Sequence, residues 1–229
     1  MKKHVQWVPA LLLCVALTNC NGQSQTGHAD RNTQVVGGGF ENSEFTYQGL
    51  PQDITATDTS AGWKQEPQKI LVKGIVYQAD GKTPAPGVLL YYYHTNAEGR
   101  YLHKPNEARS MPPNAQGQTH GYLRGWVKTN AEGAYFIFTS RPGTYPTRDE
   151  PAHIHMTVKE PNDIKEYYID DVVFEDDPLL TAAKRKRLES RAGSGILTMI
   201  NKDGLPTGDR NIVLGMNIPN HPGAAASKN

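Results

Sequence analysis

The stretch Ile70-Leu71-Val72-Lys73-Gly74-Ile75-Val76-Tyr77 reads as a β-strand, an apolar and β-branched run closed by the turn Asp80-Gly81-Lys82-Thr83-Pro84. Outward from it the same pattern repeats. Residues 88–94, 122–128, 134–139, 152–159 and 166–174 are short runs rich in Val, Ile, Tyr and Phe, punctuated by Gly, Pro, Asn and Asp at the spacing of a sandwich. Thr95-Asn96-Ala97-Glu98-Gly99-Arg100-Tyr101 returns as Thr129-Asn130-Ala131-Glu132-Gly133-Ala134-Tyr135, an echo too short for a solenoid repeat. One hairpin turn used twice is expected, with Asn and Gly at positive φ and Tyr opening the next strand. Residues 181–191 are the one expected helix, and its Lys184-Arg185-Lys186-Arg187 run reads as a solvated face because no aromatic is interleaved with it. Residues 195–201 and 211–218 are expected to pair as a closing hairpin across Lys202-Asp203-Gly204. The fold class is all-β: a β-sandwich of short antiparallel strands with one short helix and an extended N-terminal arm.

Composition narrows the function classes. A net charge of +1 with 21% charged residues argues against a nucleic-acid or acidic-polymer partner. The two cysteines, Cys14 and Cys20, both precede the domain, so no disulfide is expected within it, and its stability must come from packing and from any metal it holds. Lys2 and Lys3 followed by an apolar run, residues 8–17, have the layout of a signal peptide rather than a membrane span. Leu17-Thr18-Asn19-Cys20 resembles a bacterial lipobox, although Asn19 stands where a small residue is usual. An exported envelope lipoprotein anchored at Cys20 is expected, with periplasmic or secreted protein as the alternative. The expected organisation is residues 1–20 signal peptide, 21–34 flexible tether, 35–69 extended arm with Trp63 anchored in a groove, 70–220 sandwich, and 221–229 disordered tail.

The chemistry concentrates in Pro142-Gly143-Thr144-Tyr145-Pro146-Thr147-Arg148-Asp149-Glu150-Pro151-Ala152-His153-Ile154-His155. On a strand, His153 and His155 project to one side and Ile154 to the other. Two imidazoles so placed are either metal ligands or a polar surface face. Tyr145 lies on a loop able to fold over the same volume. Tyr91, Tyr92, Tyr93, Tyr135, Tyr167 and Tyr168 read as packing residues with one polar tip.

Taken in order, Gly74-Ile75-Val76, Asp80-Gly81, Asn96-Ala97-Glu98-Gly99-Arg100-Tyr101, the Asn130 echo, Pro142-Gly143-Thr144-Tyr145-Pro146, Pro151-Ala152-His153-Ile154-His155 and Phe174-Glu175-Asp176-Asp177-Pro178-Leu179 resemble the intradiol ring-cleavage dioxygenases. The likeness covers residues 70–180. It implies a nonhaem Fe(III) held by Tyr101, Tyr145, His153 and His155. Tyr145 would be the ligand that leaves when a catechol chelates the iron, and it would then act as a base; Tyr135 stays outside the ligand set. The implied partners are a catechol-like small molecule and O2, with no nucleic acid, membrane contact only through a lipid at Cys20, and homo-oligomerisation left open.

Two departures bear on the substrate. Glu150 stands where the family has Arg, and Asp171 where it has Gln, with Arg148 or Arg124 as substitutes for the missing cation. Carboxylates beside the ring repel electron-rich intermediates, so Glu150, Asp171 and Arg148 are the candidate substrate-binding residues and an acidic benzoate such as protocatechuate is expected to be disfavoured. Three readings remain open: the dioxygenase, a noncatalytic transthyretin-like or carboxypeptidase-regulatory-like sandwich module, and an iron protein that binds catechols without turnover. The module accounts for residues 74–145 but has no use for His153 and His155.

Overall fold

A computed structural model describes residues 35–40 and 42–223. The expected signal peptide, Cys20, the tether and residues 224–229 lie outside the described residues. The strands are β1 (Thr57–Thr59), β2 (Lys69–Tyr77), β3 (Leu89–His94), β4 (Arg124–Lys128), β5 (Ala134–Ser140), β6 (His153–Lys159), β7 (Tyr167–Phe174), β8 (Ile196–Leu197), β9 (Ile200–Lys202), β10 (Leu205–Asp209) and β11 (Ile212–Val213). The α-helices are single turns, α1 (Gly62–Gln65) and α2 (Ala182–Arg185). One sheet runs β1-β5-β2-β10-β9 with β11 beside β2, and the other runs β4-β3-β6-β7-β8. The all-β class holds.

Between the sheets lies the core. Ile70, Val72, Val76, Tyr135 and Ile137 from one side meet Leu90, Tyr92, Ile154, Met156 and Val158 from the other, the alternation that a half-buried strand requires. The central pairs β2·β5, β3·β4, β3·β6 and β6·β7 are antiparallel. Pairs made by the arm and the C-terminal segments (β1·β5, β10·β2, β11·β2 and β7·β8) are parallel, because those segments reach the sheets through long connections instead of tight hairpins.

The arm covers outer surfaces of the sandwich. Arg124, buried against the Tyr91 and Trp126 rings, donates to Phe45 O at 3.3 Å and to Gln48 O, and Trp126 Nε1 donates to Thr46 O at 2.7 Å. Trp63 meets Phe138 edge-on at 5.3 Å.

Four expectations change. The helix over residues 181–191 is only α2: the segment has no apolar stripe wide enough to bury, and it turns away through Ser190 and Ala192 at positive φ. The closing hairpin pairs β9 with β10, across Asp203 and Gly204 at φ 51° and 86°, and residues 211–218 are not its partner. Pro206 and Gly208 disguise β10 as loop. Gly208 is needed there because a Cβ would lie 2.6 Å from Leu197 Cδ2. His221 is not in a frayed tail but buried, its Nε2 2.6 Å from Glu160 Oε1, which also accepts from Tyr167 Oη. In the echoed turn only glycine takes positive φ, Gly99 at 74° and Gly133 at 69°. Asn96 and Asn130 serve instead as acceptors, each Oδ1 taking the backbone N–H of residues two and four positions on.

Gly99 has a second reason to be glycine, since a Cβ there would sit 1.7 Å from Thr144 O, whereas at Gly117, φ 78°, it would meet nothing within 4 Å. Gly117→Ala should cost about 1 kcal/mol for its backbone conformation, and Gly99→Ala clearly more. Urea unfolding of both variants checks this, and equal losses would contradict the close approach.

Two buried histidines make the fold acid-sensitive. Burial pushes the His94 pKa down to about 4 and, with the charges of His155 and Arg124 adding, that of His120 to about 3. Both are neutral in the fold, so below the unfolded value near ~6.5 the unfolded chain gains protons that the native state excludes, and stability falls as pH drops toward 4. His120 stacks on Tyr93 at 3.5 Å and 4°. His120→Phe keeps a ring there without the titration, so the stability lost between pH 8 and pH 5 should shrink by about 1–2 kcal/mol. Unchanged pH dependence in chemical denaturation would refute this.

Candidate active site

The alternation that buries Ile154 and Met156 turns His153 and His155 to the outer face of the second sheet, where residues 95–123, 142–151 and 175–192 can reach them. On that face four donor atoms converge. Tyr145 Oη lies 3.0 Å from Tyr101 Oη, 3.1 Å from His153 Nε2 and 3.4 Å from His155 Nε2, and the two Nε2 atoms are 3.2 Å apart.

The outer hydrogen bonds decide what those nitrogens offer. His153 Nδ1 is 2.7 Å from Pro151 O, which can only accept, so this Nδ1 carries the proton and Nε2 a lone pair. His155 Nδ1 is 2.9 Å from Asp171 Oδ1, with the same consequence. Two lone pairs thus face one point 3.2 Å apart, and Tyr145, with one hydrogen, can answer only one of them. A cation in the middle satisfies both and accepts two phenolates besides, so the residues fit a metal bound through N2O2.

Tyr101 and Tyr145 reach the point because their loops interlock. Gly143 donates its N–H to Asn96 O at 2.9 Å, and a Cβ on it would lie 2.2 Å from Ala97 O. With the Gly99 contact on Thr144, this fixes the two tyrosine loops back to back. Burial raises both phenols above their ordinary range. For Tyr101 the neighbouring Tyr145 adds to the effect; for Tyr145 the Tyr101 hydrogen bond opposes it. Burial likewise lowers His153. Without a cation the two phenols keep their protons near pH 7.

A cavity of about 600 Å³ opens beside the donors, lined by Tyr145, His153, His155, Tyr168, Val173, Leu180 and Leu188 among others. Glu150 and Asp171 are both in its lining. Glu150 is exposed at the mouth, 3.7 Å from Lys184 Nζ. Asp171 is occupied by His155 and by the Tyr168 hydroxyl, which donates to the same Oδ1. Burial would raise the Asp171 carboxyl, but His155, His153 and Tyr168 outweigh it and hold it below the usual range.

The substitutes expected for the missing cation are not in the lining. Arg148 is exposed at φ 55° on the loop, and Arg124 is committed to the arm. Basic side chains come instead from the run read as solvent-facing: Lys184 and Arg187, with Arg191 beyond it, line the cavity. Tyr168, read as packing, lies on the site's side of β7, where its opposite parity to core Tyr167 was the available signal. Tyr135 is buried, donating to Arg210 O at 2.6 Å, away from the donors. His153, His155 and Asp171 also bring ligand atoms within 4.8 Å of one another, but Asp171 meets His155 through the nitrogen that does not face Tyr145.

The family model described as "Dioxygenase" matches residues 41–192. The protocatechuate 3,4-dioxygenase beta chain of Burkholderia cepacia is 31% identical over 163 residues, covering 62% of this chain and 63% of that relative, so the match spans less than two thirds of its length. A variant catechol 1,2-dioxygenase of Acinetobacter radioresistens superposes with a TM-score of 0.50 at 16% identity, covering 79% of this chain and 63% of that one. The dioxygenase domain of a carbohydrate-binding fusion from Streptomyces sp. SirexAA-E gives 0.49 at 20% identity, over 72% and 91%. The sandwich is shared with the catechol 1,2-dioxygenase structure, and with the family match running from the arm through the tyrosine and histidine loops to residue 192, the chain belongs to the intradiol ring-cleavage dioxygenases.

Proposed function

We propose that this protein holds a nonhaem Fe(III) through Tyr101, Tyr145, His153 and His155 and uses O2 to cleave the ring of a catechol-like substrate between its two hydroxylated carbons, giving a dicarboxylic acid. The observation that carries the reading is the convergence of two phenolic oxygens and two imidazole lone pairs, with Tyr145 Oη 3.0–3.4 Å from the other three donors. Bound ferric iron supplies a Lewis acid strong enough to ionise phenols near neutral pH and to draw electron density from a chelated diol.

The chain's own groups do the rest. Tyr145 comes from a loop rather than from the sheet, and as a phenolate its Oη is the base that accepts a proton from the diol. Val173, Leu180 and Leu188 give the ring an apolar wall and keep water from it. The fixed tautomers of His153 and His155 spare the site any reorganisation when it fills. A second reading, catechol binding without turnover, is favoured by one feature: Glu150 stands at the cavity mouth where the resemblance puts an arginine.

Purified protein titrated with ferric ion should develop a visible tyrosinate charge-transfer band that shifts on adding catechol, and should then consume O2 as the diacid forms. A band without O2 uptake selects the binding reading, and a colourless protein excludes both. Tyr145→Phe should retain a weaker band through Tyr101 and lose about 100-fold or more in kcat/KM.

Four carboxylates (Glu150, Asp170, Asp171 and Glu189) face three basic side chains across the cavity, so catechol should turn over faster than protocatechuate. Glu150→Gln should narrow that gap several-fold. Equal turnover of the two by the unaltered protein would remove this specificity argument.

A further inference from the structure

The two imidazoles of the site are not equivalent. His153 donates its Nδ1–H to a neutral carbonyl, Pro151 O at 2.7 Å, while His155 donates its own to a carboxylate, Asp171 Oδ1 at 2.9 Å. A charged acceptor pulls harder on the proton and leaves more electron density on the far nitrogen, the one aimed at the donor cluster. An amide, which the resemblance puts at this position, could accept the same hydrogen bond but carries no charge to lend.

The placement of Asp171 is a built feature of β7. Tyr167 and Ile169 point into the core, and by strict alternation residue 171 would follow them. The register shifts opposite His155: Ile154 pairs with Val172, but Met156 pairs with Ile169. That bulge gives β7 one extra residue, so Val172 and Phe174 take the core positions and Asp171 turns to the outer face beside His155. Its carboxylate is only a quarter exposed and receives the Tyr168 hydroxyl as well. Tyr168 Oη is itself 3.2 Å from His155 Nδ1, so the phenol moderates how much carboxylate charge His155 feels.

Resting on the iron-binding reading above, we propose that Asp171 is a positioning residue that makes His155 the stronger nitrogen donor and biases the centre toward the ferric state, with Tyr168 setting the strength of that bias. The two side chains then act in opposite directions. Removing the charge weakens His155 as a donor; removing the phenol leaves the charge undivided on it.

The test uses the purified protein loaded with ferric ion, alongside Asp171→Asn and Tyr168→Phe, reading the charge-transfer band, the Fe(III)/Fe(II) potential and the affinity of the metal-free protein for ferric ion. Asp171→Asn should move the band to longer wavelength and make the potential more positive; a tenfold loss of preference for ferric over ferrous ion corresponds to about 59 mV. Its ferric affinity should fall by about 10- to 100-fold. Tyr168→Phe should shift band and potential the opposite way. Two variants that both bind iron and show the unaltered band and potential, or that shift in the same direction, would overturn the role of Asp171 and leave the iron-binding reading standing. Unaltered protein that takes up no ferric ion and no colour would overturn both.

Discussion

Strand β6 answers two demands with one period. Its even-numbered residues Ile154, Met156 and Val158 fill the space between the sheets, and His153 and His155 therefore face outward. A slip of one residue would bury two imidazoles in hydrocarbon and expose the apolar side chains, so the packing that stabilises the sandwich also fixes the direction of both nitrogen donors. The site gains its rigidity from the core without sharing the core's volume.

What β6 cannot supply comes from loops, and the loops are held by backbone rather than by side-chain packing. Gly99 and Gly143 let the two tyrosine-bearing turns approach to distances that no Cβ allows, and the Asn96 side chain and carbonyl tie both turns together. Tyr101 and Tyr145 are consequently delivered to one point from opposite sides of that junction. The same turn grammar at Asn130 and Gly133 serves only the fold, with Gly133 close against Val76 O and Tyr135 buried, donating to Arg210 O. A motif's local geometry and its role in the site are separate matters.

Electrostatics at the site are settled by pairs rather than by net charge. Burial makes ionised phenols costly and lowers the pKa of His153, so the cluster of phenols and imidazoles is one that a cation would suit. Around it, Glu150 lies near Lys184, Asp171 serves His155 and Tyr168, and Arg191 meets Glu189 at 2.5 Å. Among the described residues Arg187 is the lining cation with no side-chain ion pair, so the cavity is mixed in sign, and Glu150 and Asp171 already have partners within it.

Much of this was legible in the chain itself. Period-two alternation, turn residues and the resemblance around Tyr101, Tyr145 and Pro151-Ala152-His153-Ile154-His155 determine the sandwich class, the principal strands and the side chains that meet at the donor point, because these are local signals or short motifs. Tertiary structure alone decided the rest. The β7 bulge that turns Asp171 toward His155 leaves no trace in an apolar-rich run such as residues 167–174. That β10 is a strand despite Pro206 and Gly208 depends on β2 and β9 lying beside it. Lys184 and Arg187 look solvated until the segment after β7 folds over the cavity. Each of these depends on pairing or approach between residues far apart in sequence, and such contacts are chosen by the free energy of the whole packed chain rather than by any window of it.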